Sequence, residues 1–169
     1  IFRPATVCGY SPRMRFDLSV NILTCHAICN NKIKVFGGDQ LRPNLHIQDY
    51  CDFVKLAISS PSEKIKNQKF NVGYQNLSIT EIANIVKKVV MKEFTEKKDI
   101  EIIFTKSDDK RSYHINSDKI KTILGYSPKY TVENAIEELC DAFIENKIPN
   151  SFEDDNYFNV KKLIKLNVK

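Results

Sequence analysis

Val35-Phe36-Gly37-Gly38-Asp39-Gln40-Leu41-Arg42-Pro43-Asn44-Leu45-His46-Ile47-Gln48-Asp49 is the stretch on which the reading of this chain turns. Lys34-Val35-Phe36 reads as a short strand, Gly37-Gly38-Asp39 as a turn and Leu45-His46-Ile47 as a second short strand. Asp49 is placed to cap a helix whose Cys51, Phe53, Val54, Ala57 and Ile58 form one apolar face. Arg42 follows the turn.

On the N-terminal side, Phe2 to Val7 reads as a strand running into a loop at Gly9, with Pro4 marking an edge or a strand end. Asp17 is expected to cap a helix carrying Leu18, Ile22, Cys25 and Cys29 at helical spacing, and Asn30-Asn31 to turn the chain. On the C-terminal side a polar loop (59–69) leads to a strand over Lys69 to Gly73. Ser78-Ile79-Thr80-Glu81 carries the signature of a capped helix reaching about Phe94. A strand over Ile100 to Thr105, a polar segment over Ser107 to Tyr113, a short helix stopped by Gly125 and a last helix from Thr131 to Ile144 complete the ordered part. The domain reading is 1–145 for this portion and 146–169 for a polar, loosely held tail. The strands and helices do not alternate as βαβ units, which suggests a domain that covers something else.

With 42% hydrophobic and 28% charged residues, the 169-residue chain has the make-up of a globular domain. No apolar run approaches the ~20 residues of a membrane span. The net charge of +5 comes from scattered lysines, with only five arginines and no basic-aromatic stripe, so neither nucleic acid nor a membrane is expected as a partner. Five cysteines at Cys8, Cys25, Cys29, Cys51 and Cys140 fit no disulfide framework and no zinc site, so reduced thiols in a cytoplasmic protein are expected and no metal. No glycine spacing matches a turn that cradles a pyrophosphate.

Four segments in order resemble the NAD-dependent epimerase/dehydratase family, the extended short-chain dehydrogenases that modify sugar nucleotides. Arg3-Pro4-Ala5-Thr6-Val7-Cys8-Gly9-Tyr10 is similar to the family's RPxxVYG strand and loop; the stretch quoted above resembles its glycine turn and the following Arg, His and Asp. Asn71-Val72-Gly73 with Ser78 to Ile82 resembles its NvG…SixE segment, and Asp109-Lys110-Arg111-Ser112-Tyr113 through Leu124-Gly125-Tyr126 and Pro128 its DxR…LGwxP ending. The resemblance covers about residues 1–145.

It implies an α/β chain: the C-terminal part of an extended short-chain dehydrogenase Rossmann-type fold, a small mixed α/β substrate-binding domain without the N-terminal cofactor half. A complete enzyme of this kind uses NAD or NADP to oxidise a sugar hydroxyl, then epimerises, eliminates water or reduces again. Arg42 and Arg111 would grip the diphosphate of a sugar nucleotide, with a surface ion pair of Arg111 to Asp108 or Asp109 as the alternative. Val35, Phe36 and Gly37 would form one side of the base pocket, or a plain strand and turn. Asn21 would touch the nucleotide or be a solvated helix residue. Pro4, Ala5 and Thr6 would pass the nicotinamide with backbone contacts, and Tyr113 is expected in the core more than at the ligand. Cys8 and His46 are expected to be packing residues.

The family's catalytic Tyr-x-x-x-Lys lies ahead of the Arg3-Pro4 strand, so no catalytic residue is expected here and the chain by itself is expected to bind no cofactor and to be inactive. Tyr157-Phe158-Asn159-Val160-Lys161 has the spacing by chance, on the wrong side of every other motif. The partners implied are a nucleoside diphosphate sugar, the missing half and a second copy of the complete enzyme. A non-catalytic binding module of the same fold is the first alternative, and an unrelated basic nucleic-acid-binding protein the second.

Overall fold

In a computed structural model, residues 1–108 and 111–167 are described. Among the described residues seven strands form three small sheets. β1 (Phe2–Pro4) pairs in parallel with β5 (Phe70–Val72). β2 (Thr6–Cys8) pairs in parallel with β4 (Leu41–His46), which pairs antiparallel with β6 (Gln75–Ser78). β3 (Lys32–Phe36) pairs in parallel with β7 (Glu101–Thr105). The helices are α1 (Ser19–Asn30), α2 (Ile47–Ser59), α3 (Ser62–Ile65), α4 (Ile79–Glu93), α5 (Asp118–Leu124), α6 (Val132–Ile144) and α7 (Asn159–Lys165).

The opening strand is two strands, broken at buried Ala5, where the chain changes partner from β5 to β4. The Ala5 N–H still donates to the Val72 carbonyl at 2.7 Å, so no hydrogen bond is lost at the switch. Pro43 falls within β4, the central strand of its sheet, yet β2 pairs only from Asn44 onward. Leu41 to Pro43 is therefore open on that side, which is why proline is tolerated there.

Strict alternation shapes β3: Ile33 and Val35 are fully buried while Lys32, Lys34 and Phe36 face outward. The inward pair packs with Val20, Leu23 and Ala27 of α1, Ile82, Val86 and Val90 of α4, and Ile136 and Cys140 of α6. Each such aliphatic side chain contributes roughly 1.5–3 kcal/mol by leaving water. A second core gathers Leu45, Phe53, Phe70, Val72, Ile120 and Tyr126. A third joins Met14, Phe16, Cys25 and Leu139 to Ile148, Phe152, Tyr157 and Phe158. The segment beyond residue 146, read from its polarity as loosely held, contributes four packed side chains and α7: Tyr157 and Phe158 meet Phe16, and Phe152 meets His26.

Two caps differ from the sequence reading. The residue before α1 is Leu18, with no side-chain cap, because Asp17 is held by Arg15 through two bonds of 2.9 and 3.0 Å. Burial raises the Asp17 pKa, but Arg15's hydrogen bonds and charge outweigh it and the carboxyl sits below its usual range. α2 begins two residues before Asp49, and the ring Nδ1 of His46 accepts from the Gln48 N–H at 3.1 Å. β6 was not foreseen; its Gln75-Asn76-Leu77-Ser78 sequence has little β-propensity and is set by pairing to β4. The Ile115 backbone and the Asn76 side-chain amide form a reciprocal bond pair.

α4 starts after Ser78 with the capping box expected of it, and α6 starts after Thr131, whose box with Asn134 was not foreseen. Glu81 accepts from the Ser78 N–H and hydroxyl at 2.7 and 2.8 Å, and these bonds hold its carboxyl below the usual range. A depressed folded-state value means stabilisation that is present above the ordinary carboxylate range and lost as pH falls through the folded value. Glu81→Gln is expected to lower the melting temperature at pH 7 and to converge with the wild type in acid. Parallel melts down to about pH 3 check this, and a constant gap at all pH values refutes it.

Helix and loop ends at Asn31, Asn67, Asn146, Asn150 and Asn167 adopt left-handed backbone, φ 52° to 59°.

Candidate functional site

The turn between β3 and β4 builds the site. Gly37 and Gly38 take φ 78° and 139°, which only glycine adopts without strain. The Gln40 side chain staples the turn, its Nε2 donating to the Phe36 carbonyl and its Oε1 accepting from the Gly38 N–H, both at 2.6 Å. A Cβ on Gly37 would lie 2.7 Å from the Gln40 amide, and one on Gly38 2.5 Å from Thr80 Oγ1. Gly37→Ala is therefore expected to destabilise by roughly 1–3 kcal/mol, from left-handed strain and displacement of Gln40. A urea midpoint within error of wild type would refute it.

Beyond the turn a cleft of about 600 Å³ opens between β3 and α1. Phe36, Lys34 and Arg42 line one side; Leu18, Ile22 and His26 of α1 line the other, with Ile79 at its floor. Phe36 is half exposed there. Burial, aided by the Lys34 charge, lowers the pKa of His26, so its ring stays neutral near neutral pH. Lys34 and Arg42 make the cleft cationic, since Asp17 is occupied by Arg15.

Arg42 and Arg111 come together across a long loop in sequence. Segment 111–113 lies along the open part of β4: the Leu41 N–H donates to Ser112 Oγ at 2.9 Å, and the Tyr113 N–H to the Leu41 carbonyl. Arg42 Nη1 donates to the Arg111 carbonyl at 2.5 Å and to its neighbour Leu41 at 2.9 Å, and its guanidinium lies 5.4 Å from the Tyr113 ring centre. Tyr113, expected mainly in the core, is half exposed beneath Arg42. The Arg111 side chain is exposed. Asp109 and Lys110 of the same motif lie outside the described residues.

Other expected site residues are placed apart. The Val35 side chain points into the core, away from the cleft, as its position between Lys34 and Phe36 requires. Asn21 is buried, neither solvated nor in the large cleft. Its Oδ1 accepts from the Gly9 N–H at 3.2 Å and its Nδ2 donates to the Arg15 carbonyl at 3.0 Å, holding the loop between them on α1. It lines a smaller cleft of about 260 Å³ with Cys8, Gly9, Arg13 and Tyr50; Leu18 is shared by both clefts. Pro4 is exposed, Ala5 is in the second core and Thr6 is half-buried; none lines either cleft.

Cys8 is buried, and burial pushes its thiol up to about 12, the behaviour of a packing residue. His46 is fully enclosed, its Nε2 3.2 Å from Glu138 and its ring against Tyr130. Tyr157 packs edge-on to Phe16 and donates to the Pro149 carbonyl at 3.1 Å, while Lys161 lies over Phe158. Burial first, then Asp154 and Tyr10, raise the Tyr157 pKa, the reverse of what a proton-transferring tyrosine needs. Among the described residues no His/Cys/Asp/Glu cluster could hold a metal, and no helix is long and apolar enough to cross a membrane. Lys34, Gln40 and His26 were missed from sequence. Two-residue spacing from Phe36 and four-residue spacing from Leu18 through Ile22 were the available signals.

Comparison with known proteins gives this geometry a family. The family model described as GDP-mannose 4,6 dehydratase matches residues 8–139. The dTDP-glucose 4,6-dehydratase of Shigella flexneri is 22% identical over 144 residues, covering 82% of this chain and 39% of the relative. A UDP-glucuronic acid 4-epimerase mutant of Bacillus cereus, solved with a fluorinated UDP-glucuronic acid and NAD, superposes with TM-score 0.71 at 25% identity, over 86% of this chain and 45% of that one. The dTDP-glucose 4,6-dehydratase of Bacillus anthracis, solved with NAD, superposes with TM-score 0.65 at 19% identity, over 95% and 46%. The chain thus spans less than half the length of these relatives and has the fold of the corresponding part of an extended short-chain dehydrogenase. It belongs to the GDP-mannose 4,6 dehydratase family of NAD-dependent sugar-nucleotide epimerases and dehydratases.

Proposed function

We propose that residues 1–145 are the sugar-nucleotide-binding portion of an NAD-dependent epimerase or dehydratase, with 146–169 an accessory tail. Arg42 and Arg111 grip the diphosphate, and Phe36 beside the Gly37 turn receives the base. The observation that carries this reading is the bond from Arg42, which lines the cleft with Lys34 and several apolar residues, to the carbonyl of Arg111, which is not itself a lining residue. Asn21 serves the ligand through the loop it holds, and Val35 serves the base pocket through its backbone.

For the cofactor, the chain's own residues fit poorly. Its glycines form no helix-opening turn that could receive a pyrophosphate, and Pro4, Ala5 and Thr6 offer at most a wall. Hydride transfer and the acid–base steps are therefore assigned to residues outside this chain. The five free thiols support a reducing, cytoplasmic setting, and a homodimer is the assembly we propose for the complete enzyme.

Calorimetry tests both halves of the reading. UDP or dTDP is expected to bind this chain saturably, and NAD to give no saturable heat in the micromolar range. Micromolar NAD binding, or no preference for a nucleoside diphosphate over its nucleoside, would overturn it.

A further inference from the structure

The chain beyond residue 146 reaches both clefts from behind. Three of its side chains each meet a residue that lines a cleft. The Phe152 ring packs edge-on to His26 of the larger cleft, with centroids 5.1 Å apart. Tyr157 packs edge-on to Phe16 of the same cleft, and the Phe16 N–H donates to the Tyr157 carbonyl at 2.8 Å. Asn159 Oδ1 accepts from Arg13 Nη2 at 2.8 Å, and Arg13 lines the smaller cleft. Phe16 and Arg13 both belong to the loop that joins β2 to α1. Asn21 holds that loop on one side, through Gly9 and Arg15, and the tail holds it on the other.

We propose that this tail positions the loop that walls the clefts, with Asn159 acting through Arg13 and Tyr157 through Phe16. Both are positioning residues. The inference rests on the reading that the larger cleft receives a nucleoside diphosphate. It adds the element that sets the shape of the wall before the ligand arrives.

The physical case is one of preorganisation. Residues 9–18 form no helix or strand, and a connection of that kind moves freely unless it is tied down. Phe16 is nearly fully buried, and of the rings that meet it Tyr157 and Phe158 come from the tail and Phe143 from α6. Arg13 is exposed, so its long side chain has many rotamers in water, and the bond to Asn159 selects one. Ordering such groups at the moment of binding costs affinity, and contacts already made in the free protein remove that cost. The linkage is reciprocal, so a ligand that favours the ordered loop also favours the docked tail.

The test uses the full chain, calorimetry with UDP and amide hydrogen exchange read by NMR. Asn159→Ala is expected to weaken UDP binding roughly three- to tenfold while leaving the urea midpoint where it is. Asn159→Asp keeps an acceptor for Arg13 and is expected to restore the affinity. In an Arg13→Ala background, Asn159→Ala is expected to cost nothing further, because the arginine it acts through is gone. In the free protein, the Phe16 amide is expected to exchange faster in Asn159→Ala while the amides of α4 keep their wild-type rates. UDP is expected to slow exchange at residues 157–159 of the wild type. Unchanged UDP affinity in Asn159→Ala, or full additivity with Arg13→Ala, overturns the positioning role and leaves the nucleotide reading standing. If the wild type binds no UDP, the nucleotide reading fails, and the free protein alone decides the role of the tail: a Phe16 amide that exchanges no faster in Asn159→Ala overturns it.

Discussion

Arg111→Ala is expected to weaken binding of UDP or dTDP about ten- to hundredfold while leaving binding of the matching nucleosides unchanged. The estimate follows from charge-assisted hydrogen bonds worth roughly 1.5–3 kcal/mol, each 1.4 kcal/mol being tenfold in affinity. Arg42→Ala is expected to lose at least as much, because Arg42 also anchors the Arg111 carbonyl at 2.5 Å, so its removal frees the segment that presents the second arginine. Lysine at either position keeps the charge but not the planar fork, and restores affinity only in part. The deciding comparison is two ligands, diphosphate and nucleoside, against wild type and Arg111→Ala. An equal loss for both would mean that Arg111 acts through folding. Cys8→Ser and His46→Gln are enclosed packing changes and should alter nucleotide affinity less than either arginine change.

Asp49→Ala should give the largest loss of stability, about 3 kcal/mol. The buried carboxylate of Asp49 accepts the Lys129 and Tyr130 N–H groups at 2.9 Å each, one on each oxygen. The Tyr126 hydroxyl donates to the Asp49 carbonyl at 2.5 Å, and burial, then the Asp49 charge, raises the Tyr126 pKa. Alanine strands two backbone donors at roughly 1–3 kcal/mol each. Asparagine restores one acceptor but turns an amide N–H₂ toward the other donor, so it rescues incompletely. The measurement is the urea midpoint at constant m-value, and a loss under about 1 kcal/mol would show that water replaces the carboxylate. The effect reaches the cleft, because the anchored residues immediately precede the Thr131 cap of α6, and α6 packs against α1.

What sequence could and could not tell follows from range. The strand, glycine turn and arginine at 34–42, the Ser78 and Thr131 caps and the Gly125 stop are local features with local causes, and each is found where expected. Asp17 and Asp49 were both read as caps because an acidic residue before an apolar stripe has that meaning locally. One is taken by a neighbouring arginine and the other by backbone 80 residues away, and only the second lies beyond local inspection. Val35 shows the limit of a motif, which named the residue but not its face; alternation in β3 would have turned it inward and brought Lys34 forward. The meeting of Arg42 with Arg111 depends on the open side of β4, a property of sheet order that no window of sequence contains.

The asparagines with left-handed backbone have a bearing on the chain before it folds. Other proteins commonly hand such positions to glycine, which reverses the hand of the backbone freely and roams just as freely when denatured. This chain has only five glycines and uses asparagine at five reversals, including Asn31 at the end of α1 and Asn67 before β5. Asparagine tolerates the reversed hand better than other residues bearing a Cβ, and its side chain narrows the conformations open to the disordered polymer. The element ends therefore lean toward order by shrinking the crowd of alternatives that folding has to leave behind.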